Sequence, residues 1–376
     1  MRLFNLENKK LIRSCSPILE KIYRERKRAY IDLFFYEKDI NLGKFDPTPL
    51  VQTQIIRKIG DKYRANVQVF PLSGKFICTD FNYSAHRKAG KTYITEKDGV
   101  WGILPEETPV IAKKSIAKKG DLVLDLATGS GMIGIFCAEK ARKVIGTDIN
   151  PRAINYAQFN AILNSVDNKV EFRTGDLFEP VKGVKFDLII WNGPTVAAPQ
   201  VPGKYPIYSY GGATGSEFTQ RFIDQAFAHL NPNGRLQWYD CAVGTNEIPV
   251  SMEYLKKKWK NKKVKIIYNS LTSDPVPLAK SFELYAKYNL EQPEFRTPLA
   301  FKQITDKEEQ EWHKWLQENG YTHFYYAFVE VWPNNEFEFK MNFPKTDIRT
   351  DRYLTRYYLW MDYRTILKKL QQCEDY

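Results

Sequence analysis

The segment Val123-Leu-Asp-Leu-Ala-Thr-Gly-Ser-Gly-Met-Ile-Gly134 constrains the fold more than any other part of the chain. It reads as an apolar strand, a glycine-rich turn and the start of a helix. Glycines at such a turn let backbone N–H groups and a helix N-terminus approach a nucleotide-like ligand with no Cβ in the way. One residue separates it from a dinucleotide turn. Asp125 lies inside the strand end, ahead of Gly129. A carboxylate there repels a pyrophosphate and suits a ligand bearing an ammonium and a sulfonium group.

Three further strand ends decide the reading. Lys143-Val-Ile-Gly-Thr-Asp148 is a second apolar strand ending in an acid, where doubly wound folds bind ribose hydroxyls. Asn150 and Pro151 follow as the N-cap and first-turn proline of a helix running through Ala161. Val170-Glu-Phe-Arg-Thr-Gly-Asp176 is a third strand, its acid placed for an adenine amino group, and Phe186–Trp191 is a fourth, ending in Asn192-Gly-Pro-Thr195. Polar residues at consecutive carboxyl ends line one crevice in such a sheet. An ordinary turn-rich α/β sheet explains any one of these ends, but not the ordered set.

With these motifs, the stretch from about Trp101 to Gly244 resembles the class I S-adenosylmethionine-dependent methyltransferases. It is most similar to the group holding release-factor glutamine methyltransferases and related small-domain enzymes. The residues that carry the likeness are Asp125–Gly134, Asp148-Ile-Asn-Pro-Arg-Ala153, Gly175-Asp-Leu-Phe178, Asp187–Pro194 and Gly211-Gly-Ala-Thr-Gly-Ser-Glu217. They are specific for fold and cofactor, and less so for substrate. The resemblance implies an α/β fold: a Rossmann-like seven-stranded methyltransferase sheet with an N-terminal α/β cap and an insertion before the last strand. It implies S-adenosyl-L-methionine as cofactor, with contacts at Thr108, Asp125, Ala127, Thr128, Gly129, Ser130, Gly131, Asp148, Ile149, Asn150, Gly175, Asp176, Leu177 and Asn192. Thr108 reads equally well as a helix-entry hydroxyl.

One departure bears on the acceptor. The family's fourth-strand motif is typically Asn-Pro-Pro-(Tyr/Phe), whose ring stacks on a planar amine. Here the positions read Asn192-Gly193-Pro194-Thr195, without that ring. By analogy with base–aromatic stacking, the missing contact is worth about 1–3 kcal/mol. The expected acceptor is therefore an N or O atom of a small-molecule or peptide substrate. The alternatives are a protein or RNA methyltransferase, or a cofactor-binding inactive partner subunit. Asn192 and the Gly193 carbonyl, with Pro194 and Tyr210, are the candidate catalytic residues. Candidate bases are Asp80, His86, Tyr208, Tyr210, Glu217 and Asp240, and no spacing rule selects among them.

Composition agrees with a cytoplasmic enzyme. No run approaches the roughly eighteen apolar residues of a membrane span, and the N-terminal segment lacks a signal peptide's hydrophobic core. Five scattered cysteines read as reduced thiols, and four histidines share no metal-ligand spacing, so no metal is expected. The net charge of +12 favours no nucleic-acid partner by itself, because its densest run, Lys256–Lys265, reads as a solvated helix face.

The organisation follows: a cap or substrate-recognition region over 1–99, the methyltransferase domain over 100–335, and an aromatic-basic extension over 336–376. In the cap, helices are predicted over Ser16–Lys27 and Val51–Gly60, and a hairpin joins strands 65–70 and 74–80. Ser216 is a candidate N-cap for an amphipathic helix reaching Leu230. Later strands are expected at Arg235–Asp240, Val264–Asn269 and Phe324–Trp332. The segment 271–320, with a helix at Lys307–Asn319, is either a lid-like insertion or a dimerisation arm. A closing helix from Tyr353 to Leu370 is expected to pack on the cap.

Overall fold

The computed structural model describes residues 3–81, 97–101, 103, 107–200, 206–279, 306–346 and 363–375. The chain divides into two compact units, Met1–Asp176 with Tyr358–Tyr376, and Leu177–Tyr357.

In the first unit, α1 (Lys9–Glu25) starts on Asn8, whose side chain accepts the Leu11 N–H at 3.0 Å. It buries Ile12, Cys15, Leu19 and Ile22, a single stripe of helical period. The segment after it, which runs into the aromatic-rich Tyr30-Ile-Asp-Leu-Phe-Phe-Tyr36, is a second helix, α2 (Lys27–Phe34). The helix expected over Val51–Gly60 is corrected: α3 (Thr48–Gln52) stops early, and β1 (Ile56–Ile59) pairs antiparallel with β2 (Lys62–Ala65). Gly60 at φ 60° supplies the left-handed turn, and the β-branched isoleucines suit the strand. The predicted hairpin forms as β3 (Gln68–Leu72) and β4 (Lys75–Thr79), joined through Ser73 and Gly74 at φ 47° and 72°.

Next come α4 (Thr108–Lys113), β5 (Leu122–Leu126), α5 (Met132–Cys137), β6 (Lys143–Asp148), α6 (Pro151–Leu163) and β7 (Val170–Thr174). β5, β6 and β7 lie side by side and parallel, with Asp125 opposite Gly146 and Asp148 opposite Thr174. Val123, Leu124, Leu126, Val144 and Ile145 are all buried, the continuous apolar reading of a strand covered on both faces. The cap packs on this layer through α6: Leu19, Tyr30, Leu50, Val69 and Phe76 share one core with Tyr156, Phe159 and Leu163. The Phe4 ring stacks on Phe159 at 3.8 Å and 14°. The closing helix α10 (Tyr363–Asp375) packs on β3, as expected, and Glu374 accepts both the N–H and the hydroxyl of Ser73 at 2.7 Å. The expected start of that helix, in 347–362, lies outside the described residues.

The second unit holds β8 (Phe186–Trp191), α7 (Glu217–Ala226), β9 (Leu230–Gly244), α8 (Val250–Trp259), β10 (Val264–Ser270), β11 (Val276–Pro277), α9 (Asp306–Glu318), β12 (His323–Pro333) and β13 (Glu338–Asn342). Strand β9 is parallel to β8, β12 runs antiparallel between β9 and β10, and β13 is parallel to β10. All seven expected strands form, in a mostly parallel Rossmann-like arrangement. The fifth begins earlier than expected: Leu230 already pairs with Phe186, and Asn231–Gly234 bulge out before Arg235 pairs with Leu188. Lys256, Lys257 and Lys258 stand exposed on α8, the solvated face predicted for them. Helix α9 buries Trp312 and Leu316 against Ala197, Val243 and Leu278, and the Trp312 indole donates to the Ala213 carbonyl at 2.9 Å. The insertion's residues 280–305 lie outside the described residues. Among the described residues, no helix is long and apolar enough to cross a membrane.

Candidate active site

In the first unit, the strand ends converge on two carboxylates. Asp125 is fully buried at the end of β5. Its Oδ2 accepts the Thr128 hydroxyl at 2.6 Å and the Gly134 N–H at 2.9 Å, while Oδ1 is buried without a hydrogen-bond partner. Burial pushes the Asp125 carboxyl up to about 7, against those two bonds. Asp148 closes the turn from the next strand: Oδ2 accepts the Gly129 N–H at 2.8 Å, and Oδ1 accepts the Asn150 N–H at 2.9 Å. Burial raises its carboxyl as well, with the two backbone bonds opposing. The Asp148 carbonyl accepts the Gly175 N–H at 2.9 Å, which draws the third turn, with Asp176, to the second.

Two glycines of the turn serve different needs. Gly129, at φ 54°, has open space where a side chain would sit, so its backbone is left bare on that side. Gly131, at φ 80°, caps α5 and packs so closely that an added Cβ would lie 2.9 Å from the Ala157 Cβ. Ala127 and Leu177 take positive φ at 55° and 45°. Thr128 and Ser130 are buried, while Ile149 stands 54% exposed beside Asp148. Asn150 is the N-cap of α6, accepting the Arg152 N–H at 3.0 Å and donating to the Asp98 carbonyl at 2.8 Å. Thr108 is half-buried at the first position of α4.

These residues fit S-adenosylmethionine. An unpaired buried carboxylate oxygen answers a ligand of positive charge, and a second acid beside an open glycine turn answers ribose hydroxyls.

In the second unit, β8 delivers Asn192, Gly193 and Pro194 half-exposed at its carboxyl end. Glycine at 193 meets a steric limit. A Cβ there would fall 2.1 Å from Cη2 and Cζ2 of Trp191, whose ring is buried and stacked on Phe222 at 5.7 Å and 7°. Sequence reading had no role for Trp191, although its spacing of two from Gly193 was a strand-face signal. The loop beyond folds back, with Val196 bridging Tyr210. Glu217 staples its return, accepting the Ser216 and Thr214 N–H groups at 3.1 and 3.2 Å. Gly212 exists for that carboxylate, since its Cβ would sit 1.8 Å from the Glu217 Cδ. Ser216 is the N-cap residue of α7, but its hydroxyl bonds Thr214 and Gln220 instead of a helix N–H.

The candidate bases fare unevenly. Asp80 is clamped by both Arg152 nitrogens and accepts the Tyr156 hydroxyl at 3.1 Å. Asp240 is fully buried, accepts the Ser251 hydroxyl at 2.6 Å and is pushed by burial up to about 6. Burial, helped by Glu217, pushes the Tyr210 hydroxyl up to about 12, so it is un-ionised at neutral pH. Tyr208 is half-buried, and His86 lies outside the described residues.

The turn, its paired acids and the parallel strands define a methyltransferase, and comparison with known proteins agrees. A family model described as a methyltransferase domain matches residues 117–320, and one described as DNA methylase matches residues 44–159. The chain belongs to the S-adenosylmethionine-dependent methyltransferase family. Over 136 residues it is 37% identical to a protein of Methanocaldococcus jannaschii provisionally named a protein N5-glutamine methyltransferase, covering 35% of this chain and 68% of that one. Over 143 residues it is 33% identical to the release factor glutamine methyltransferase of Aquifex aeolicus, covering 36% and 50%. The matched part is about half the length of the release-factor relatives. An RNA methyltransferase of Salinibacter ruber, solved with S-adenosyl-L-homocysteine, matches at 22% identity and a TM-score of 0.27, covering 35% of this chain and 73% of that one.

Proposed function

We propose that the protein transfers a methyl group from S-adenosylmethionine to the side-chain amide nitrogen of a glutamine in a protein substrate. This takes up the alternative of a protein substrate, where the altered turn had favoured a small molecule or peptide. The observation that carries it is the likeness, at 37% and 33% identity, to two relatives named for glutamine methylation, in a chain that keeps Asn192. The cofactor, when bound, supplies a methyl group already activated on a positive sulfur. The chain's own residues then have a task of orientation, which alone supplies several kcal/mol of barrier reduction.

In this reading Asn192 is the positioning group. Its side-chain oxygen accepts one N–H of the acceptor amide, and the Gly193 carbonyl accepts the other, so the nitrogen is held for attack. As the N–CH3 bond forms and the S–CH3 bond breaks with its electron pair left on sulfur, one of these two N–H protons is released to water. Thr195, small and buried, replaces the family's stacking ring, and selection of the substrate falls to the loop beyond Asn192 and to α9, which packs on Ala197 and donates to Ala213.

The test supplies labelled methyl donor and the enzyme to an extract. Label recovered as N5-methylglutamine after protein digestion is the expected result, and label confined to small metabolites or RNA refutes the proposal. Asn192→Ala should lower kcat/KM about a hundredfold while cofactor affinity stays within about twofold.

A further inference from the structure

Helix α6 meets the cap through three asparagine side chains, each laid on one backbone unit. Asn155 accepts the Phe4 N–H at 2.7 Å and donates to the Phe4 carbonyl at 3.0 Å. Asn160 accepts the Cys78 N–H at 2.8 Å and donates to the Cys78 carbonyl at 2.9 Å. Asn164 accepts the Phe76 N–H at 2.9 Å and donates to the Phe76 carbonyl at 2.8 Å. A carboxamide presents a donor and an acceptor side by side, as a peptide group does. Asn160 and Asn164 therefore pair the edge of β4 that β3 leaves free.

Asn160 differs from the other two in its second amide hydrogen, which goes to the carbonyl of Ser130, at 2.9 Å, inside the glycine-rich turn. The residue is fully buried. The same turn rests on α6 at Ala157, where Gly131 has no room for a Cβ. On the other side, Asp148 holds the Gly129 N–H. The Thr128–Gly129 and Ser130–Gly131 peptides are thus each held by a side chain, Asp148 and Asn160, and the second anchor is shared with the cap.

We propose that Asn160 is a positioning residue for cofactor binding, which transmits the docking of strand β4 to the turn at Gly129–Gly131. The proposal rests on the cofactor reading above and extends it to the N-terminal cap. With Asn160 in place, the turn is held in its ligand-ready form only while Cys78 occupies the other face of the same amide. Loss of the amide leaves the Ser130–Gly131 peptide held only by the Gly131 N–H on the Thr128 carbonyl at 2.8 Å, and a turn with one anchor fewer binds the ligand at a cost in affinity. The chemistry itself, at saturating cofactor, is unaffected.

The experiment compares Asn155→Ala, Asn160→Ala and Asn164→Ala in the full chain, measuring thermal stability, S-adenosylhomocysteine affinity by calorimetry, and kcat. Each variant removes a paired amide, so all three should melt earlier. Only Asn160→Ala should raise Kd, by about tenfold for a lost buried hydrogen bond, with kcat within about twofold. Equal Kd changes in Asn160→Ala and Asn164→Ala overturn the proposal, as does an unchanged Kd in Asn160→Ala. Should Asn160→Ala not fold, hydrogen exchange on the unaltered protein decides. S-adenosylhomocysteine should slow exchange at residues 76–80 as well as in the turn at 129–134, and protection of the turn alone overturns the coupling. Failure of the unaltered protein to bind at all refutes the cofactor reading instead, and the coupling with it.

Discussion

The ring of Trp191 occupies the space that any side chain on Gly193 would need, with 2.1 Å between its Cη2 and Cζ2 atoms and an ideal Cβ at that position. In this chain the tryptophan at 191 requires a glycine at 193. Introducing the proline of the family's typical motif by Gly193→Pro should therefore not raise activity. Displacing a buried, stacked ring should cost about 1–3 kcal/mol, read as a lower Tm, with turnover reduced. A Gly193→Pro protein as stable and active as the parent refutes the steric reading.

Asp148 bonds both the cofactor turn and the start of α6. Asp148→Ala removes two charge-assisted N–H bonds along with the proposed ribose contact, and should weaken S-adenosylmethionine binding at least about tenfold in calorimetry. Unchanged affinity would remove this residue from the site.

The pH dependence of stability should carry the mark of Asp125. Its carboxyl is raised by burial from 3.8 to about 7, so the folded protein holds a proton that the unfolded chain has released. Over that interval the unfolded state binds fewer protons, and stability must fall as pH rises from about 4 to 7, then level. Asp240, raised to about 6, acts in the same direction. Thermal melts between those limits should show a shallower fall for Asp125→Asn than for the parent. Parallel profiles would mean that the group is ionised throughout.

Arg152 and Asp80 form an ion pair with side chains 7% and 15% exposed. Asp80→Ala leaves a guanidinium buried without its carboxylate, and urea unfolding should report a loss of about 3–5 kcal/mol. If activity at a temperature where the variant is folded falls far beyond cofactor occupancy, Asp80 has a chemical role after all.

The cofactor half was legible because its signals are contiguous. Strand, turn and acid follow one another within Val123–Gly134 and again within Lys143–Asn150, and local backbone chemistry makes them what they are. The partners of Asp80 and Asp240 were not. Arg152 is 72 residues from Asp80, and nothing local says that a carboxylate is already spoken for. Helix periodicity misread Val51–Gly60, where a left-handed glycine outweighs the apolar spacing. Asn160 and Asn164 did leave a trace. Asparagine is a poor helix former, so Asn160 among the buried residues of α6, with Asn164 one turn on at its C-cap, is a sign that these amides bond elsewhere.

Those amides also answer a question of solubility. A two-stranded hairpin is barely stable alone in water, and its open edge is a template on which another chain's strand can add. Along β4 that edge is occupied at Phe76 and Cys78 by side chains of a helix, which offer peptide-like bonding but no strand to extend. The sheet of the cap therefore ends at α6, closed to runaway growth by a device that a further strand could not supply without presenting an edge of its own.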